Sequence, residues 1–114
     1  MIIPETIDSL FRQDVRVVPV VSREALSSAQ ATFNAEMKSI DLSWKKPANP
    51  VKYYVIYRGK SGKRPLSLTS VEGNLNRFSD TSMTGKGTYR YMIRAIYADG
   101  GESPFLNFQE MEVK

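Results

Sequence analysis

At 114 residues, with 41% hydrophobic and 25% charged side chains, the chain has the size and balance of one globular domain and is too short for two units that each bury a core. It has no Cys and no His, which excludes disulfide staples, thiolate nucleophiles, imidazole bases and zinc sites of the usual ligands, and with them most familiar enzyme mechanisms. The net charge of +4 is uneven: Lys38, Lys45, Lys46, Lys52, Arg58, Lys60, Lys63 and Arg64 share their stretch with a single acid, Asp41. Such a field attracts nucleic acid, anionic glycans or an acidic partner, or simply keeps loops and sheet edges solvated.

The N-terminal residues 1–27 differ from the rest. Ile7, Leu10 and Phe11 allow a helical turn, and Val15, Val17, Val18, Val20 and Val21 around Pro19 read as extended because of their branching and the proline. The Ala, Leu and Glu content of 22–31 allows another brief helical turn. Met1 to Glu5 lacks a basic region leading into an apolar one, and no apolar stretch approaches the roughly 18 residues needed to cross a bilayer. Neither a signal peptide nor membrane insertion is expected.

From about Ser28 apolar residues recur at every second position, the period of a half-buried strand. Ala29, Ala31 and Phe33 form one strand and Ile40, Leu42 and Trp44 its hairpin partner, closed by Pro47 and Pro50, which cannot donate to a ladder. Val51 to Arg58 is the densest strand pattern, and 59–64 its turn. Pro65 to Val71 follows, with Leu66 and Leu68 on one side, then a short extended piece at Arg77, Phe78 and Ser79. The long alternation of Thr88 to Tyr97 and a last strand from Asn107 to Val113 complete seven strands. Seven strands with no helix between them predict an all-β, antiparallel sandwich with Trp44, Tyr54, Ile56, Tyr89, Tyr91 and Ile93 in one core. Asp80 reads as a turn or cap acceptor.

Five pieces in order carry a resemblance. They are Leu42-Ser43-Trp44 followed by Pro47, Tyr54-Val55-Ile56-Tyr57-Arg58, Phe78-Ser79-Asp80-Thr81-Ser82-Met83, Thr88 to Ala95, and Gly100-Gly101-Glu102-Ser103-Pro104. Over about Ala29 to Val113 the chain resembles a fibronectin type III module of the kind found as accessory domains of bacterial secreted and surface proteins. The resemblance implies a seven-stranded immunoglobulin-like sandwich over 28–114, with 1–27 as leader, linker or packed extension. It also implies an extracellular or cell-surface location. Tyr89 falls at the family's tyrosine corner, so its hydroxyl is expected to bond a backbone group in the Asp80 to Gly85 region. Met83 stands where the family has Leu, and Gly85-Lys86-Gly87 replaces its Pro-Gly, so that connection should be less rigid. No Arg-Gly-Asp tripeptide is present, so integrin attachment does not carry over.

If Tyr54 and Ile56 face inward, Tyr53, Val55 and Tyr57 face out, and in the same register so do Arg90, Met92, Arg94 and Ile96. This candidate interaction face suits a neighbouring domain of the same polypeptide, a partner protein, or a sugar ring stacked on Tyr. Nucleic acid is disfavoured, because the basic residues are scattered over several elements without a reading motif. Residues 1–27 either cover this face or pair with a sheet edge of a second copy as a homodimer. No cofactor, metal or catalytic residue is expected. The reading is of a non-catalytic spacer or protein-interaction module of a larger secreted or cell-surface protein. Its alternative is a carbohydrate-binding or adhesion module accompanying a glycan-degrading enzyme.

Overall fold

A computed structural model describes residues 24–114. The strands are β1 (Ser27–Asn34), β2 (Ser39–Lys45), β3 (Val51–Lys60), β4 (Leu66–Glu72), β5 (Arg77–Asp80), β6 (Gly87–Tyr97), β7 (Leu106–Asn107) and β8 (Met111–Val113). They form two antiparallel sheets: three strands in the order β1-β2-β5, and five in which β4-β3-β6 continues into β7 and β8, both paired with β6.

There are eight strands among the described residues where the sequence pattern predicts seven. The expected last strand is split because Phe108 turns its ring into the core, 6.4 Å from the ring of Trp44, while its amide bonds the carbonyl of Tyr91. The helical turn expected at 22–31 is also overturned over its described part. Residues 27–34 are strand, because a register against β2 and the burial of Leu26 outweigh a weak local preference. The expectations at Ile7 to Phe11 and Val15 to Val21 lie outside the described residues.

Alternation builds the core. Ile40, Leu42 and Trp44 of β2, Tyr54 and Ile56 of β3, and Tyr89, Tyr91, Ile93, Ala95 and Tyr97 of β6 are all buried in one cluster with Leu26, Val71 and Phe108. The six core residues expected from sequence are among them. Trp44 meets Tyr54 edge-on at 5.0 Å, the arrangement favoured by ring quadrupoles. In β4 the pairing shifts between Ile56 and Tyr57, so Thr69 opposes Ile56 and Ser67 opposes Tyr57, with Leu68 as the extra residue of a bulge. Leu68 packs on the core, but Leu66 is 68% exposed, so the two leucines do not share a buried side.

The residues just ahead of β1 are tied to the sandwich. The hydroxyl of Tyr97 donates to the carbonyl of Glu24 at 2.6 Å, and the Glu24 carboxylate accepts the amides of Ala48 and Asn49 beyond the end of β2. The chain therefore approaches the sandwich at the pole formed by Pro50, Tyr97 and Ala98, where Ala98 also donates to the carbonyl of Pro50.

Candidate functional site

Strands β3 and β6 lie side by side, which brings the candidate face together. Tyr53 pairs with Ile96, Val55 with Arg94, Tyr57 with Met92 and Gly59 with Arg90, while the alternate residues Tyr54, Ile56, Tyr91, Ile93 and Ala95 are buried. All seven expected residues thus occupy the outer side of the five-stranded sheet. Tyr53 is 37% exposed and the other six are half-buried.

At Tyr57 and Arg94 the half-burial has a local cause that the sequence pattern does not show. After β6 the chain turns back through Gly101, whose carbonyl accepts the amide of Tyr97, and delivers Phe105 onto the outer face. The Phe105 ring stands edge-on to Tyr57 at 5.2 Å and lies 4.2 Å beneath the guanidinium carbon of Arg94. Arg94 also forms an ion pair with Glu102 and reaches the Tyr57 hydroxyl at 3.5 Å, whereas its Nε is buried without a partner. The centre of the face is therefore an Arg held between an aromatic ring and a carboxylate. Around it lie Tyr53, Met92 and Ile96, with Phe105 itself 47% exposed. Phe105 and Glu102 are the residues that strand alternation misses. The available signal was a large aromatic directly after Ser103-Pro104, outside any strand register.

Asp80 is more than a turn acceptor. Its Oδ1 accepts the amide and hydroxyl of Ser82 at 2.9 and 2.7 Å, the expected turn, while Oδ2 accepts Arg58 at 2.8 Å and the Tyr91 hydroxyl at 2.5 Å. Burial by itself raises the Asp80 carboxyl, but the hydrogen bonds from Tyr91, Ser82 and Arg58 outweigh it and hold the group below its ordinary value. Burial, then the adjoining Asp80, push the Tyr91 phenol well above its ordinary range. With every lone pair of this carboxylate directed at a structural donor, it is a pin rather than an acid or base.

The hydroxyl of Tyr89 shares its proton between the carbonyls of Thr84 and Gly85, at 3.0 and 2.8 Å, which is the corner expected from sequence. The same connection receives the Lys60 ammonium on the Thr84 carbonyl, with that ammonium 5.4 Å from the Tyr89 ring centre. Among the described residues no group of three His, Cys, Asp or Glu side chains is arranged to hold a metal ion, and no helix is long and apolar enough to cross a membrane.

The architecture is an immunoglobulin-like β-sandwich. Its fold is similar to that of fibronectin type III domains among solved structures: an Fn3-like protein from Clostridium thermocellum matches at 20% identity, with a TM-score of 0.62 over 82% of this chain and 94% of that one. The FN3 domain of human collagen XX matches at 22% identity and TM-score 0.64, covering 86% of this chain and all of that one. A pectate lyase, Pel3 from Pectobacterium carotovorum, matches at 14% identity and TM-score 0.61 over 79% of this chain but only 27% of the lyase. No family model matches the sequence, and no curated protein matches it.

Proposed function

We propose that the chain is a non-catalytic spacer or protein-interaction module of a larger secreted or cell-surface protein, making contact through the outer face of its five-stranded sheet. The observation that carries this reading is the surface built by Tyr53, Met92, Ile96 and Phe105 around the neutralised Arg94, an apolar patch with an aromatic and arginine centre of the kind that anchors protein interfaces. The likeness to a segment making up about a quarter of a pectate lyase supports the role of an accessory unit beside a catalytic one. In this reading 28–114 is the functional domain and 1–27 is its linker or extension, the end of which contributes Glu24 and Leu26 to the sandwich. A carbohydrate role is less well served, since the Tyr57 and Phe105 rings stand 75° apart and share no flat platform for a sugar.

The test is site-directed photocrosslinking in the source cells, with benzoylphenylalanine in place of Tyr53 or Phe105 and, as control, of Ser43, which is exposed and lies on β2 in the three-stranded sheet, outside this face. Discrete adducts from Tyr53 and Phe105 but not from Ser43 are expected. Equal adducts from all three, or none, would remove the outer face as the contact surface.

A further inference from the structure

A second surface lies at the other end of the sandwich and shares no residue with the outer face. The β1–β2 turn, the connection between β5 and β6 and the end of β8 enclose a groove of about 510 Å³, within the range of ordinary ligand sites. Its apolar part is Phe33, Met83 and Val113, all half-buried, and its charged part is Lys38, Lys86 and Lys114, all exposed. No carboxylate side chain lines it. Among the described residues the three ammonium groups make no ion pair or hydrogen bond, while the nearby Lys60 is already committed to the Thr84 carbonyl and the Tyr89 ring.

Two backbone features put these lysines where they are. Lys38 has a φ of 52°, a left-handed conformation that is unfavourable for a side-chain-bearing residue and is normally left to Gly or Asn. Lys86 stands between Gly85 and Gly87, with φ of 80° and 142°, at the point where the family's more rigid Pro-Gly is replaced. Three exposed, unpaired cations around an apolar floor create a positive local field that favours an anionic ligand. A bare phosphate would leave the floor wet, and a polyanionic backbone without apolar groups would leave Phe33 and Met83 unused. A carboxylate-bearing peptide with an apolar side chain meets both demands, and the thioether of Met83 adapts its shape to that side chain.

We infer that this groove is a docking site for an acidic peptide segment of a partner protein, with one large apolar side chain seated on Phe33, Met83 and Val113 and flanking carboxylates facing Lys38, Lys86 and Lys114. The inference is independent of the outer face, so either reading can fail alone.

The experiment is fluorescence anisotropy on the full 114-residue chain. The probe is a dye-labelled pentapeptide with a central phenylalanine and two glutamates on each side. Saturable binding that weakens as salt is raised is expected, because exposed charges are screened within about 10 Å at 0.1 M ionic strength. The double substitution Lys38→Glu with Lys86→Glu is expected to weaken it about tenfold or more at an unchanged thermal midpoint, whereas Lys46→Glu at the opposite pole leaves it unchanged. If the double variant fails to fold, Lys86→Glu alone, on an exposed turn, provides the same comparison. Absence of saturable binding, equal binding of the all-glutamine peptide, or full retention by the charge-reversed variant would overturn the proposal. Saturable binding of a sulfated glycan or a short oligonucleotide with the peptide left unbound would overturn the peptide as ligand.

Discussion

The hydroxyl of Tyr91 donates to Oδ2 of Asp80 across 2.5 Å, and the two residues belong to different sheets, Asp80 to the end of β5 and Tyr91 to β6. Both side chains are 1% exposed, and Arg58 from β3 closes the same carboxylate from a third strand. A buried anion that three strands must satisfy together couples the two halves of the sandwich through a polar contact inside an otherwise apolar interface.

Removing the anion is therefore expected to cost more than removing a donor. Asp80→Ala leaves Arg58 and the Tyr91 hydroxyl without their acceptor and is expected to lose on the order of 3–5 kcal/mol, whereas Tyr91→Phe, which deletes one hydrogen bond to a charged group, loses about 1.5–3 kcal/mol. Urea titration of both single variants and the double variant would measure the coupling. Strictly additive losses would show that the two residues do not act as a unit.

Acid should unlock the same pin. The folded-state value of Asp80 lies below that of the unfolded chain, about 3.9, so between the two values the unfolded state binds the extra proton. Its stabilising contribution is complete above about pH 5 and is lost as pH falls through 4 and then through the folded value. At the alkaline end the signs reverse. Burial raises the Tyr54, Tyr91 and Tyr97 phenols, so their contribution is complete below the ordinary tyrosine value of about 10 and is lost as pH rises beyond it. Thermal midpoints across pH are expected to fall at both ends, with a shallower acid limb in Asp80→Asn. An acid limb identical in that variant would assign the acid sensitivity to other carboxylates.

Tyr89→Phe removes a hydroxyl whose proton two carbonyls share, and about 0.5–1.5 kcal/mol should be lost, less than for Tyr91→Phe because the partners are neutral and partly solvated. Hydrogen exchange of the 84–88 amides should rise in the same variant. Unchanged stability and exchange would mean that the Lys60 contact alone holds this connection.

Gly73 provides a steric test. A Cβ there would lie 1.9 Å from the carbonyl oxygen of Val51, a backbone atom fixed by the β3 pairing, so Gly73→Ala must displace β3 or the turn after β4. It is expected to cost more than Gly62→Ala, where φ is 83° but nothing lies within 4 Å of the added carbon and the cost is about 1–2 kcal/mol of backbone strain. Equal losses in denaturant titrations would show that the close approach relaxes freely.

Strand alternation at β2, β3 and β6 was enough to name Trp44, Tyr54, Ile56, Tyr89, Tyr91 and Ile93 as core, because the side-chain period of a strand is a local property and one apolar face must be buried wherever the strand packs. The same rule sorted Tyr53, Val55 and Tyr57 from their buried neighbours, and the resemblance to fibronectin type III modules implied that β3 and β6 lie side by side. What the sequence alone left open depends on elements distant along the chain. Asp80 reads locally as a turn residue, and only the meeting of β3, β5 and β6 makes it a buried junction. Phe105 has no strand register to announce it, and its seat on Tyr57 and Arg94 follows from the path of the chain after Gly101. Lys38, Lys86 and Lys114 are separated by dozens of residues and became one basic rim only when the two sheets closed on their shared apolar core, because it is burial of that core, and not any preference of the lysines, that decides which turns end up side by side.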